Sequence, residues 1–246
     1  MIHISCSNHH YYPPSSMIES KTASFPALNE HYITSWSGGK DACFAFCLAQ
    51  KQGAKPTALF TMLDENGENT LSHGLHRDII EAQASLMSVP AQFRNVARGM
   101  YEQQLRNVIQ ESRKTFDSTS LVFGDIDLEA HKTWYERICD EENVSPRFPL
   151  WGYSRQNLLN DMLAAGFNTM IVSVQHEKMD RRFLGKIMTP ALAEEIQSLG
   201  ICPTGEDGEF HSLVLDAPCF SSPLQVKTGS IHDDQWGHTI LEIALA

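Results

Sequence analysis

Tyr32-Ile33-Thr34-Ser35-Trp36-Ser37-Gly38-Gly39-Lys40-Asp41 runs from β-branched and aromatic residues suited to a short buried strand, through a glycine pair, to the start of a helix. The helix is expected over Ala42 to Gln52, with Gly53 closing it. A strand that feeds a glycine turn and then a helix start leaves amides unpaired and directs the positive end of the helix dipole outward. Such a place binds anions, and a phosphate chain is the expected ligand.

The spacing separates one kind of phosphate loop from another. A Walker loop needs glycine where Thr34 stands and Ser or Thr where Asp41 stands, so it is excluded. Gly38 and Gly39 permit positive φ and close backbone approach. Lys40 is a flexible cation for phosphate charge, and Ser37 offers a hydroxyl. Asp41 has two readings: a cap on the helix, or a ligand to Mg²⁺ bridging the phosphates. The structural alternative to all of this is a plain Ser-Gly-Gly turn. Ser37-Gly38-Gly39-Lys40-Asp41 resembles the SGGKDS signature of the PP-loop ATP pyrophosphatases, with Ala42 in place of the last serine.

The 246 residues, with 42% hydrophobic and 20% charged side chains, describe an ordinary globular chain able to bury a sizeable core. A formal charge of -11 argues against gripping a nucleic-acid backbone, and no nucleic acid is expected as partner. No apolar run is long enough for a bilayer and the first twelve residues lack a secretion signal, so a cytoplasmic location without membrane attachment is expected. The cysteines at 6, 43, 47, 139, 202 and 219 include no C-x-x-C pair, which argues against a zinc cluster or redox motif. Cys43 and Cys47 share a helix face and read as packed free thiols.

Residues 1–31, with Pro13-Pro14-Ser15-Ser16, read as a flexible extension. Beyond the first helix, Thr57 to Leu63 is an apolar strand, His73 to Met87 an amphipathic helix, Ala91 to Val96 a strand and Met100 to Phe116 a helix. Ser120 to Ile126 holds a further apolar strand, ending in Gly124-Asp125. Alternation of this kind specifies an α/β fold, a doubly wound parallel sheet spanning 32–145, and the PP-loop resemblance implies that it is of the Rossmann-like, adenine nucleotide alpha-hydrolase-like type. Ligands bind at the carboxyl ends of such strands, so Gly38, Leu63 and Gly124-Asp125 are expected around one crevice. Cations in the first turn of the 73–87 helix suggest an anion near His73 or His76. The next helix carries His131, Tyr135 and Arg137, of which Arg137 is the candidate for substrate contact. The prolines of Pro146-Arg147-Phe148-Pro149 mark the start of a second, smaller α/β domain over 146–246. There Ser154 and Thr189 cap helices and Thr169 to Val174 forms a strand.

A second informative stretch is Thr204-Gly205-Glu206-Asp207-Gly208-Glu209-Phe210-His211. Carboxylates among glycines suit Mg²⁺ or a cationic substrate, and an acidic surface turn is the bland alternative. Glu206, Glu209 and His211 are the preferred functional residues, with Asp207 shaping the turn.

Taken with Ser37 to Asp41, Gly124-Asp125, Pro149-Leu150-Trp151 and Phe183-Leu184-Gly185, this stretch resembles the diphthine-ammonia ligase family over residues 32 to about 220. The resemblance implies ATP and Mg²⁺ as cofactors and adenylation of a substrate carboxylate with loss of pyrophosphate. Ammonia then displaces AMP to give an amide. It implies that Ser37 to Asp41 hold phosphates, Leu63 contacts adenine, and Gly124 and Asp125 contact ribose or phosphate. Lys40, Glu206 and Glu209 would act in catalysis, and Arg137, Glu206, Glu209 and His211 would face the acceptor. That acceptor would be diphthine, a modified histidine on elongation factor two whose trimethylammonium suits carboxylate partners, or a related carboxylate. Two alternatives remain: an ATP-binding regulator without catalysis, and a tRNA-modifying PP-loop ATPase.

Overall fold

The structure, a computed structural model, describes residues 22–234 and 236–246. Two sheets organise it. The first is parallel and five-stranded, in the order β3-β2-β1-β4-β5. Its strands are β1 (His31–Ser35), β2 (Lys55–Leu63), β3 (Ala91–Asn95), β4 (Ser120–Val122) and β5 (Ser145–Arg147). Between them run α1 (Lys40–Lys51), α2 (Arg77–Leu86), α3 (Tyr101–Phe116) and α4 (Glu129–Glu141). The strand order reverses between β1 and β4, so the loops leaving these two strands flank a crevice at their carboxyl ends.

The second sheet is antiparallel, in the order β7-β6-β9-β8. It comprises β6 (Asn168–Gln175), β7 (Phe210–Asp216), β8 (Val226–Asp233) and β9 (His238–Leu245), with α5 (Arg155–Ala164) and α6 (Pro190–Ser198) beside it. Ser154 and Thr189 cap α5 and α6 as expected, each accepting from an amide three residues on.

The apolar clusters explain the layering. On one face of the first sheet, Ile33, Phe60 and Phe123 pack with Leu105, Val108 and Ile109 of α3 and Ile138 of α4. On its other face lies α1, buried on most of its surface, which marks a helix covered on both sides. Phe44, Phe46, Leu48 and Ala49 join a cluster that continues into Met170, Val172, Leu213 and Val214 of the second sheet. Phe44 meets Phe167, just before β6, edge-on at 5.3 Å between ring centres. A third cluster covers the far face of the second sheet with Phe183, Met188 and α6. Thus α1 is the layer that both sheets share, and its first residue is Lys40.

Three expectations change. Residues 22–30 are not a loose extension, because Ser24 and Phe148 exchange hydrogen bonds at 3.1 and 2.9 Å. The part of that expectation on residues 1–21 lies outside the described residues. Pro146 and Arg147 belong to the first sheet rather than the second unit, and Pro146 is tolerated because β5 is an edge strand. The helix expected from His73 begins at Arg77, since Gly74 adopts φ +65° and residues 70–75 form a turn braced by Thr70. Among the described residues no helix is long and apolar enough to cross a membrane.

Candidate active site

The loop from Ser37 to Lys40 leaves β1 and is held from three directions. Gly38 has φ +85° and its carbonyl accepts from the Val214 amide of β7 at 3.0 Å. It also accepts from the Gln83 side chain at 3.1 Å. Gln83 is fully buried, donates to the Val214 carbonyl at 2.8 Å and accepts from the Trp36 indole at 2.9 Å. The Lys40 amide donates to the Ser212 hydroxyl at 3.3 Å. Replacing Gln83 by leucine strands an indole N–H and a carbonyl in the core. About 3 kcal/mol of stability is expected to go, read as an earlier midpoint in urea unfolding. A loss below about 0.5 kcal/mol would mean that water substitutes for the amide.

Gly39 is constrained by approach rather than by φ. A Cβ there would sit 2.6 Å from Nε2 of His73 and 3.1 Å from the Ser212 carbonyl. Gly39 precedes the helix with extended backbone and no side chain caps it, so Asp41 is not the cap. The Ser37 hydroxyl accepts from the Gly39 amide at 3.3 Å.

Lys40 is 5% exposed. Its Nζ lies 2.7 Å from Oδ2 of Asp41 and 3.5 Å from Oε1 of Glu206. Burial pushes the ammonium pKa down, but the two carboxylates outweigh it and leave Lys40 above its ordinary value. Glu206 moves to about 7, chiefly through burial and then the neighbouring Asp41 charge. The other Asp41 oxygen, Oδ1, is buried with no hydrogen-bond partner. An orphaned carboxylate oxygen beside a second carboxylate is a fitting place for a hard divalent cation such as Mg²⁺.

Ser35, Ser37, Asp41, Ala42, Gly124, Asp125 and Glu206 line a cleft of about 190 Å³. A hollow of about 530 Å³ bounded by Arg113, Lys114 and Asn143 lies at the amino ends of the strands, away from the switch point. Gly124 touches α1 directly: a Cβ there would lie 2.8 Å from the Ala42 amide nitrogen and the Asp41 carbonyl carbon. Asp125 bonds His131 at 3.1 Å, which raises the His131 pKa.

The acidic loop is held over this cleft by Arg155. Its guanidinium bonds both Asp127 oxygens at 2.8 and 3.1 Å and both Asp207 oxygens at 3.0 Å. One arginine thereby ties the loop after β4 to the loop before β7.

The expected site residues divide accordingly. Ser37, Gly38, Gly39, Lys40, Asp41, Gly124, Asp125 and Glu206 come together. Glu209 does not reach Lys40. It is buried, and its two oxygens accept from the Cys202 and Asp207 amides at 3.1 and 3.0 Å, so it shapes the turn, the task first given to Asp207. Arg137 sits on the exposed side of α4, in surface ion pairs with Glu102 at 2.7 Å and Glu141 at 3.2 Å. Leu63 is wholly buried and its carbonyl takes the Val96 amide, which leaves no side-chain surface for adenine. The His211 and His73 rings lie 4.5 Å apart between centres, tilted by 41°, and His73 has a buried, unpartnered Nδ1. Burial keeps both imidazoles neutral, His211 being lowered to about 4. His76 instead caps α2 at the surface.

Family models of the N-terminal and C-terminal domains of diphthamide synthase match residues 30–146 and 154–245. The chain belongs to the diphthamide synthase family. It is similar to the diphthine–ammonia ligase of Schizosaccharomyces pombe, 27% identical over 206 residues that make up 75% of this chain and 34% of that protein. It is also similar to those of Rattus norvegicus and Homo sapiens, each 23% identical, over 78% and 79% of this chain and 81% and 82% of theirs. The chain thus spans about a third of the yeast protein it matches. In this member of the diphthamide synthase family the two matches end and resume on either side of residues 147–153. Arg155, at the start of the second match, reaches back to Asp127 in the first.

Gln83 and Arg155 are the residues that spacing missed. They had no local signal, since their partners lie 45 to 131 and 28 to 52 residues away. His73 had one, a cation preceding a helix start.

Proposed function

We propose that this chain is an ATP-dependent ligase that joins ammonia to a substrate carboxylate. The observation carrying the proposal is Lys40, a buried ammonium between Asp41 and Glu206 at the switch point of a parallel sheet. In this reading the loop amides and Lys40 hold the β- and γ-phosphates. A carboxylate oxygen of the acceptor attacks the α-phosphorus, the bond to the bridging oxygen breaks, and pyrophosphate leaves into the cationic loop. Ammonia then attacks the acyl carbon of the mixed anhydride, AMP departs, and the nitrogen sheds a proton to form the amide. The chain needs no nucleophile of its own. Its contribution is to align carboxylate and phosphorus and to stabilise the leaving charge.

Asp41 and Glu206 would hold Mg²⁺, which supplies charge neutralisation of the phosphates when bound. Gly124 and Asp125 stand where ribose or the α-phosphate would pass, and the neutral His73–His211 pair offers acceptor nitrogens without adding positive charge. Diphthine, named in the relatives' activity, is the first acceptor to test, with elongation factor two as its carrier. The attachment of the acidic loop to the phosphate lysine favours a catalyst over a regulator that only binds ATP.

The test is product analysis with Mg-ATP and ammonium, alone and with a panel of carboxylates that includes diphthine-bearing elongation factor two. AMP and pyrophosphate that form only with an acceptor, together with its amide, are expected. ADP and phosphate as products would eliminate adenylation.

Glu206 also gives a prediction for stability. Its carboxyl binds a proton more tightly in the folded chain than its ordinary value of 4.5 allows. Stability from this group is therefore greatest in acid and falls as pH rises from about 4.5 to about 7, then levels off. Wild type should lose of the order of 1–3 kcal/mol more than Glu206→Gln between those limits. Parallel urea titrations of the two proteins check it, and identical pH profiles would show that the group is not held away from water.

A further inference from the structure

Cys43 and Cys47 stand one turn apart on α1, and the fold brings a third thiol to them from far along the chain. Cys219 lies on the turn after β7, where the Phe220 amide bonds the Ala217 carbonyl and the Ser221 amide bonds the Leu86 carbonyl, beside the end of α2. The sulfurs of Cys43 and Cys219 are 3.7 Å apart, and all three sulfurs lie within 4.8 Å of one another. Cys43 is buried, while Cys47 and Cys219 are partly accessible.

These separations have a chemical meaning. Zinc–thiolate bonds of about 2.3 Å in a tetrahedron place neighbouring sulfurs about 3.8 Å apart. The Cys43–Cys219 pair already meets that edge, and the Cys47 sulfur, within 4.8 Å of both, supplies the third corner of a triangular face. A pair of thiols would suggest only a disulfide; three around one point match the face of a soft-metal site.

We propose that Cys43, Cys47 and Cys219 bind a single zinc(II) ion, with the fourth corner of the tetrahedron open to water or to an external thiol. Each Zn–S bond forms as that sulfur gives up its proton to solvent, so loading acidifies an unbuffered solution. The occupied site would tie α1, whose first residue is Lys40, to the segment leaving β7, whose Ser212 accepts from the Lys40 amide. The ion would thus be a clasp behind the phosphate loop, away from the reacting atoms.

The full-length protein, reduced and stripped of metal by a chelator, is titrated with cobalt(II), and zinc(II) is then used in competition. One equivalent per chain is expected, with a sulfur-to-cobalt charge-transfer band and the strong visible absorption of a four-coordinate ion, both bleached by zinc. Cys219→Ser and, separately, Cys47→Ser should each weaken binding by at least about 100-fold, while serine at the remote, buried Cys139 leaves it unchanged. Zinc should also raise the thermal midpoint of wild type and not of Cys219→Ser. Absence of the charge-transfer band in reduced wild-type protein, or binding that survives both serine variants, overturns the proposal. So does recovery of untreated protein as a metal-free Cys43–Cys219 disulfide.

Discussion

Lys40→Ala is expected to lower turnover to AMP and pyrophosphate by about 10³-fold, the upper range for deleting one preorganised donor to developing charge. The effect is large because, among the described residues, no other cation shares the position: Asp41 and Glu206 both face Lys40, and Arg155 is committed to Asp127 and Asp207. Removing the ammonium leaves two carboxylates facing each other, and Glu206 responds by holding its proton to still higher pH, since Lys40 is one of the groups that lower it. The variant should therefore remain folded while losing its phosphate clamp. Lys40→Arg should recover only part of the loss, because a planar fork does not fill the space of a compact ammonium. Rapid-quench measurements on wild type and both variants, with circular dichroism as the folding control, would decide the matter. Turnover within tenfold of wild type in Lys40→Ala would remove the lysine from the chemistry.

Gly124→Ala is expected to be nearly as damaging, for a steric reason. The added methyl would lie 2.8 Å from backbone atoms of Asp41 and Ala42, which have no rotamer by which to yield. Either the start of α1 or the loop after β4 must move. A misplacement of about 1 Å in a phosphate loop is enough for a loss of about 10²-fold in rate, and overpacking of this kind costs about 1–3 kcal/mol in stability. Both should appear together, as weaker Mg-ATP binding by calorimetry and a lower thermal midpoint. Unchanged ATP affinity would show that the β4 loop gives way instead and that Gly124 is not part of the nucleotide wall. Gly99, where a Cβ meets nothing within 4 Å, is the matching control for open space, though its φ of +79° calls for Asn rather than Ala.

The parallel sheet was legible because β2 and β4 are apolar runs separated by amphipathic helices, a pattern that few other arrangements satisfy. The hairpin of β8 and β9 was not. Val226–Asp233 is exposed along nearly its whole length and contains Gly229, so no alternation marks it, although Thr239, Leu241 and Ile243 of β9 do alternate inward. In the site, Ser37 to Asp41 announced itself by chain-local spacing. The residues that hold that loop did not, because Gln83, Arg155 and Cys219 act on partners that only the tertiary fold brings near. Arg137 shows the opposite error: a cation on a helix near the crevice was read as a ligand contact, when Glu141 one turn later was its partner. Glu209 and Asp207 were exchanged because sequence shows three carboxylates in a loop but not which of them turns inward.

The bond from the Val214 amide to the Gly38 carbonyl makes the loop common property of both sheets. On the proposed reading, phosphate in that loop and an acceptor beside His211 on β7 would share this one hydrogen bond between their supports. Occupancy at the two places is therefore expected to be coupled, and thermodynamic reciprocity requires that each ligand change the other's affinity by one and the same factor. Isothermal titration run in both orders of addition would yield that factor twice. Val214→Pro, which deletes the donor, should bring it toward unity, giving a chain that still recognises each ligand but no longer knows that the other has arrived.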